Sequence, residues 1–280
     1  MAQVPPFIHC PGDCSILRAL YTSATGMRAQ EMLIDNTANN IANVNTNGFK
    51  RSQLDFADLL YSTFKAAGTE VAAGQPSPTG LQIGSGVRAV GTTKVFSPGT
   101  FAQTSNPLDV GIEGDGFFKV TLPNGEARYT RDGTFRTDST GRLVTGDGYF
   151  LDSAVTIQDG VSLSKLSIGA DGTVTGITAG SPESSVNLGQ IQLVRFLNPA
   201  GLSSEGGNLY AATPASGQEV QAVPGQNGMG MLRQGYLERS NVEVVNELIS
   251  LITAQRAYEV NSRAIRAADE MLSTTNDIVR

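Results

Sequence analysis

The chain of 280 residues has no tryptophan, two cysteines and one histidine. The cysteines and the histidine sit together in His9-Cys10-Pro11-Gly12-Asp13-Cys14, so everything after Ser15 has neither residue type. A histidine-based triad, a cysteine nucleophile, a cysteine-rich zinc site and a disulfide framework are therefore excluded from the body of the protein. His9, Cys10 and Cys14 alone, with no second group at zinc-finger spacing, make a poorer metal site than a solvated or mis-started leader, and no metal or other cofactor is expected. Basic charge is also scarce, with 20 Lys plus Arg against 26 Asp plus Glu and a formal net charge of -6. No run of Lys and Arg occurs, which argues against nucleic acid as a partner, because phosphate neutralisation needs a clustered basic face. No stretch approaches the roughly 18 apolar residues of a membrane span. The first fifteen residues lack both the basic start and the apolar core of about 7 to 15 residues of a cleavable secretory signal.

What is present favours a folded chain with two kinds of structure. Apolar residues make up 40% and charged residues 16%, too apolar a balance for broad disorder. The 32 glycines and 12 prolines follow no Gly-X-Y period and so mark turns. Near the start, Leu17, Leu20, Ala24, Met27, Ile34, Ala38 and Ile41 recur at alternating spacings of 3 and 4, with Glu31 in the one remaining place. This is a coiled-coil seam of nearly four heptads, about 40 Å long. It ends in Asn45-Thr46-Asn47-Gly48, where Asn and Gly suit the left-handed backbone of a helix end.

At the other end Ser240-Asn241-Val242-Glu243 reads as a capping box opening a second long helix. In that helix Leu251, Tyr258, Ile265 and Leu272 lie seven apart, and Val244, Val245, Leu248, Ile249 and Ile252 widen the apolar face of its first turns. Between the helices, short runs of β-formers alternate with turn pairs such as Asn124-Gly125, Asp147-Gly148 and Asp171-Gly172. Phe117 and Phe118 adjoin in one such run, so one is expected in the β core and the other on the opposite surface. The glycine- and proline-rich stretch from Ala66 to Gly86 reads as an extended connector or projecting loop.

The expected fold class is α+β multidomain: long N- and C-terminal helices paired as a coiled-coil-like domain, with a central all-β domain inserted between them. The expected boundaries are 1–16 as a disordered leader or misassigned start, 17–50 with 238–280 as the helical polymerisation domain, 51–90 with 225–237 as extended connector, and 91–224 as the β domain. Two helices alone cannot cover both apolar stripes, which leaves either an ordinary monomeric core or association with further copies. Contacts that join different surfaces of successive copies need not close and grow as a helical filament.

The wording of the sequence bears on that choice. Leu33-Ile34-Asp35-Asn36-Thr37-Ala38-Asn39-Asn40-Ile41-Ala42-Asn43-Val44-Asn45-Thr46-Asn47-Gly48-Phe49-Lys50 closely resembles the N-terminal signature of the bacterial flagellar basal-body rod and hook family. Four further stretches resemble the same family: Leu108 to Phe118, Tyr129 to Phe135, Gln234 to Val242, and Gln255-Arg256-Ala257-Tyr258-Glu259-Val260-Asn261-Ser262. The likeness is to the distal-rod branch through Pro78-Thr79-Gly80-Leu81-Gln82-Ile83-Gly84-Ser85-Gly86-Val87. Hook proteins lack this stretch, which the family associates with a straight, stiff shaft.

The resemblance implies a subunit without enzymatic activity, exported by the flagellar type III apparatus without a cleavable signal. It implies self-assembly as a helical polymer into the drive shaft that crosses the periplasm. Proximal-rod proteins, hook protein, and the peptidoglycan-ring and outer-membrane-ring proteins are its implied partners. The absence of disulfides and metal sites suits a chain threaded unfolded through a narrow conduit. In this reading Leu17, Leu20, Ala24, Met27, Ile34 and Ile41 pack against Leu248, Leu251, Tyr258, Ile265 and Leu272 of the same and adjacent copies. Asn40 and Asn43 could bond across copies, while Asn45 and Asn47 cap the first helix; Gly48, Phe49 and Lys50 complete the motif. A hook or proximal-rod paralogue is the alternative. A peptidoglycan hydrolase, with Glu113, Asp115, Glu126 or Asp132 as a carboxylate pair, is a remote one, because Asp before Gly is ordinary turn chemistry.

Overall fold

Alternating 3 and 4 spacings of apolar and small residues, with no proline, give the first long helix, α1, over Asp13–Ala42. The last, α2, runs over Val244–Ile278, about 52 Å at 1.5 Å per residue. The structure is a computed structural model that describes residues 13–68, 70–72, 75–76, 78–153, 155–158, 161–178 and 185–278. Most of the leader expected over 1–16, including His9 and Cys10, lies outside the described residues. Among the described residues no helix is long and apolar enough to cross a membrane.

The expected α+β arrangement, with long helices paired as a coiled-coil-like domain, is not what is found. The described chain has these two α-helices and a β-rich middle of twenty-two short strands. The described large apolar residues of the predicted seams are at most half-buried. The most buried places on α2 are Glu247, Ala254 and Ala268, and on α1 they are Ala29, Thr37 and Asn40. These small and polar residues lie beside the predicted heptad positions, not on them. Where the helices meet, Gly26 lies so close to Asn261 that a β-carbon on it would stand 2.9 Å from Asn261 Nδ2.

The chain divides into two units. The first comprises the described parts of Met1–Asn39, Leu54–Thr92 and Val245–Arg280. In it the stretch expected as an extended connector is a paired ribbon. Tyr61–Lys65 runs antiparallel to Leu81–Gly84, and Glu70–Ala72 pairs with Gln75–Pro76. The ribbon leans on α1, with the Arg18 guanidinium 4.7 Å from the Phe64 ring centre.

The second unit, Asn40–Gln53 with Thr93–Val244, holds the main core. Its largest sheet has seven strands in the order Arg136–Thr137, Leu143–Val144, Phe150–Leu151, Phe118–Thr121, Ala127–Thr130, Leu209–Ala211 and Ser203–Gly206. Three further strands, Ser167–Ile168, Thr173–Ile177 and Ser185–Gln190, form a separate antiparallel sheet. Period-2 alternation puts Phe118 and Val120 into a core with Val110, Ile112, Phe135 and Leu193. Phe117 does not remain on an open surface as expected. It is 2% exposed, in a second cluster with Tyr129, Phe196 and Tyr210, where edge-to-face contacts such as Tyr129 on Phe196 at 4.7 Å replace water.

Candidate assembly surface

The motif that ends α1 folds into a buried hub. Glu238, in the strand Tyr236–Glu238, accepts at Oε1 from Lys50 Nζ at 2.7 Å and from the Gly99 amide at 2.9 Å. Its Oε2 accepts from Arg131 Nη1 at 3.3 Å. Lys50 also donates to the Ser97 carbonyl at 2.8 Å. Burial holds the Lys50 ammonium below its ordinary pKa, and the Arg131 charge acts in the same direction against the pull of Glu238. Gly48 donates its amide to the Glu238 carbonyl at 2.8 Å. It has a φ of +67°, and a β-carbon there would stand 2.6 Å from the Asp132 amide nitrogen, so glycine alone fits. Phe49 is buried, with Lys94 Nζ 4.5 Å from its ring centre.

Two asparagines of the motif bond within the chain. Asn40 exchanges two hydrogen bonds of 2.9 Å with the backbone of Ser52, an internal clasp. Asn43 Oδ1 accepts from Thr46 Oγ1 at 3.1 Å. Asn45 is exposed, and neither it nor Asn47 takes the left-handed backbone that Gly48 supplies. At the other end the capping box does not form. Ser240 Oγ accepts from the Val242 amide at 3.3 Å, before α2 begins at Val244. Asn241 instead bonds the Arg51 amide at 2.7 Å and the Val95 carbonyl at 2.8 Å. The sequence singles out Lys50 but not its partner Glu238, the Arg131 that shares Glu238, or Asn241, which bonds the neighbouring Arg51 amide. The available signal was their position inside the Tyr129 to Phe135 and Gln234 to Val242 stretches.

The helices carry what the hub does not cover. On α2, Val245, Leu248, Ile249 and Ile252 are 64%, 43%, 55% and 50% exposed, and their i, i+3, i+4, i+7 spacing puts them on one face. Tyr258 is 42% exposed, whereas Leu251, Ile265 and Leu272 are half-buried. On α1, Leu20, Met27, Ile34 and Ile41 are half-buried and Ala24 is exposed; the Leu17 side chain lies outside the described ones. In the ribbon Pro78, Gly80 and Leu81 are exposed, while Gly84 and Gly86 are half-buried. A β-carbon on Gly86 would meet Thr25 Oγ1 of α1. At about 25 cal/mol per Å² of apolar surface, covering the four α2 side chains would contribute on the order of several kcal/mol toward the cost of association.

The hub ties the start and end of the β-rich body together, the helices carry bare apolar faces, and comparison with known proteins places the chain in the flagellar rod and hook class. Three family models match: "Flagella basal body rod protein" over residues 20–50, "Flagellar hook protein FlgE/F/G D1 domain" over 111–176, and "Flagellar basal body rod FlgEFG protein C-terminal" over 233–278. The flagellar basal-body rod protein FlgG of Borreliella burgdorferi is 44% identical over 265 residues, covering 95% of this chain and 100% of its own. That of Caulobacter vibrioides is 44% identical over 263 residues, 94% and 99% of the two chains. FlgG of Bacillus subtilis is 38% identical over 269 residues. The chain belongs to the flagellar basal-body rod family, in its FlgG, distal-rod branch.

Proposed function

We propose that the chain is a structural subunit without enzymatic activity that stacks lengthwise into the distal rod, the hollow drive shaft joining the proximal rod to the hook across the periplasm. The observation that carries this reading is the bare apolar face of Val245, Leu248, Ile249 and Ile252 on a chain that aligns with FlgG proteins over nearly its whole length. A shaft under torque needs contacts that share load along its axis, and long helices distribute burial over their whole length. Full-length likeness to FlgG proteins favours the distal rod over the hook, whose domain model spans FlgE, FlgF and FlgG together. Proximal-rod proteins below, hook protein above and the peptidoglycan and outer-membrane rings around the shaft are the partners in this reading. The flagellar type III apparatus is the route of export in this reading. The helix positions from Leu20 to Ile41 and from Leu248 to Leu272 supply packing surface between copies, and the Pro78 to Gly86 ribbon stiffens the shaft.

Purified full-length protein supplied with rod fragments as a nucleus tests this reading. Straight tubes in the electron microscope are expected. Curved supercoiled tubes would assign the chain to a hook, and release of muropeptides would assign it an enzyme's role. Lone particles in the ultracentrifuge beside a native nucleus would defeat the reading.

A further inference from the structure

The second unit contains a cavity of about 220 Å³ that borders the hub at Arg131. Phe96, Phe117, Phe196 and Leu197 give it apolar walls, and Arg195 and Arg131, the latter 5.4 Å from the Phe117 ring centre, also line it. Its charge is unbalanced. Lys50 and Arg131 share the single Glu238 carboxylate, and the buried Arg131 Nε has no hydrogen-bond partner. Arg195 makes no ion pair among the described residues, and Asp115 is the one acid in the lining. At the rim, Leu197 is 91% exposed. Apolar walls beside two under-neutralised guanidinium groups suit a group that is aliphatic on one side and carries a carboxylate on the other.

The same chain presents such a group. Leu60, 89% exposed, sits between the strands Ser52–Asp58 and Tyr61–Lys65, with the exposed Asp55 and Asp58 just before it. Leu60 and Leu197 are the two most exposed large apolar side chains among the described residues. One stands at an acidic turn and the other at the edge of a basic pocket. A polymer that does not close needs a contact between different surfaces of successive copies, and these two surfaces are different and complementary in charge.

We propose that the Phe96/Arg195 cavity receives the Asp58-Leu59-Leu60 turn of a second copy, with Leu60 against the aromatic wall and the Asp58 carboxylate on Arg195. The inference rests on the polymer reading above and gives it a specific lateral joint. The test uses the full chain with Cys10→Ser and Cys14→Ser, which removes its only native thiols. In polymers of that background, Leu60→Cys combined with Leu197→Cys gives, on oxidation, a ladder of disulfide-linked dimers, trimers and longer species. Either single variant gives no ladder. Asp58→Arg and Arg195→Glu each slow seeded growth several-fold, and the two together restore it.

Polymers without a ladder, an intrachain disulfide in the double variant, or charge reversals that fail to compensate overturn this joint and leave the rod reading standing. No polymer from the cysteine-free parent beside a native nucleus overturns the rod reading, and the joint with it.

Discussion

Lys50 and Glu238 lie 188 positions apart and meet in an ion pair of 2.7 Å whose side chains are 0% and 1% exposed. One closes the signature at the end of α1 and the other stands shortly before α2. The pair therefore fixes the two ends of the second unit against each other. Desolvation of two buried charges offsets most of their attraction, so its role is to specify register more than to add stability. The Gly48 amide bonded to the Glu238 carbonyl reinforces the same register through the backbone.

Glu238→Gln leaves Lys50 and Arg131 as two buried cations without a carboxylate, and a loss of about 3–5 kcal/mol is expected. Lys50→Met is expected to cost much less, because Arg131 still pairs with Glu238 at 3.3 Å and one desolvated charge is gone. Urea midpoints at unchanged slope measure both. Equal losses would show that the pair, not the carboxylate shared by two cations, is what matters.

The positions of the two long helices were legible because their apolar spacing repeats for many turns, where local and global preferences agree. Their packing was not. Heptad spacing marks a stripe without saying how deeply each member is covered. In this chain the fully buried places Ala29, Ala254 and Ala268 lie beside the stripe, its large members such as Ile34, Leu251 and Ile265 are half-buried, and Ile249 and Ile252 are bare. The ribbon from Tyr61 to Gly84 escaped because its glycines and prolines resemble loop composition while its pairing is a long-range property. The hub was half legible. Lys50 stood out within its motif, but Glu238 and Arg131 are distant in sequence, and a lone carboxylate in a strand carries no mark of its partner. Asn241 read as part of a helix cap because Ser-x-x-Glu matches that pattern locally. Its competing bonds to Arg51 and Val95 belong to tertiary structure.

Tyr210 gives the chain a defined alkaline response. Burial pushes its phenol up to about 12, with the nearby Glu238 charge adding to the effect and Arg131 opposing it. A folded-state value above the unfolded one, near 10, means that the folded form holds the proton more tightly. The contribution is complete below about pH 10 and is lost as pH rises through 12, a change on the order of 3 kcal/mol at most. Lys50 works in the opposite sense, since its lowered value makes stability rise with pH toward 10.5. Tyr210→Phe isolates the phenol's part. Its urea midpoint is expected to fall less than the parent's between pH 10 and 12, and parallel curves would contradict this.

Opposite faces of α2 should respond oppositely to substitution. Ile249→Asp and Ile252→Asp change exposed positions, so thermal unfolding of the dissociated chain is expected within about 0.5 kcal/mol of the parent, while seeded polymer growth is lost. Ala254→Leu overfills a position only 2% exposed and is expected to cost about 1–3 kcal/mol in the dissociated chain. Sedimentation of polymer and calorimetry of the dissociated protein, run on the same three variants, separate the two effects. Normal tubes from both aspartate variants would remove the apolar face from the assembly contacts.

Asn40 is the sharpest test of the motif's internal role. Its amide faces the Ser52 backbone with Nδ2 donating to the carbonyl and Oδ1 accepting from the amide, both at 2.9 Å, and the residue is 1% exposed. Asn40→Asp keeps the shape and the acceptor but turns a carboxylate oxygen toward the Ser52 carbonyl. A buried charge then meets an acceptor, and the expected loss is about 2–4 kcal/mol. Asn40→Ala forgoes both bonds without introducing repulsion and should cost less, about 1–3 kcal/mol. The aspartate variant should regain stability as acid protonates the new carboxyl and makes it a donor again, whereas the alanine variant should show no such recovery. Unfolding midpoints between pH 4 and 8 read this difference directly. If both variants keep parental stability and fail only in polymer growth, Asn40 acts between copies and its bonds to Ser52 are incidental.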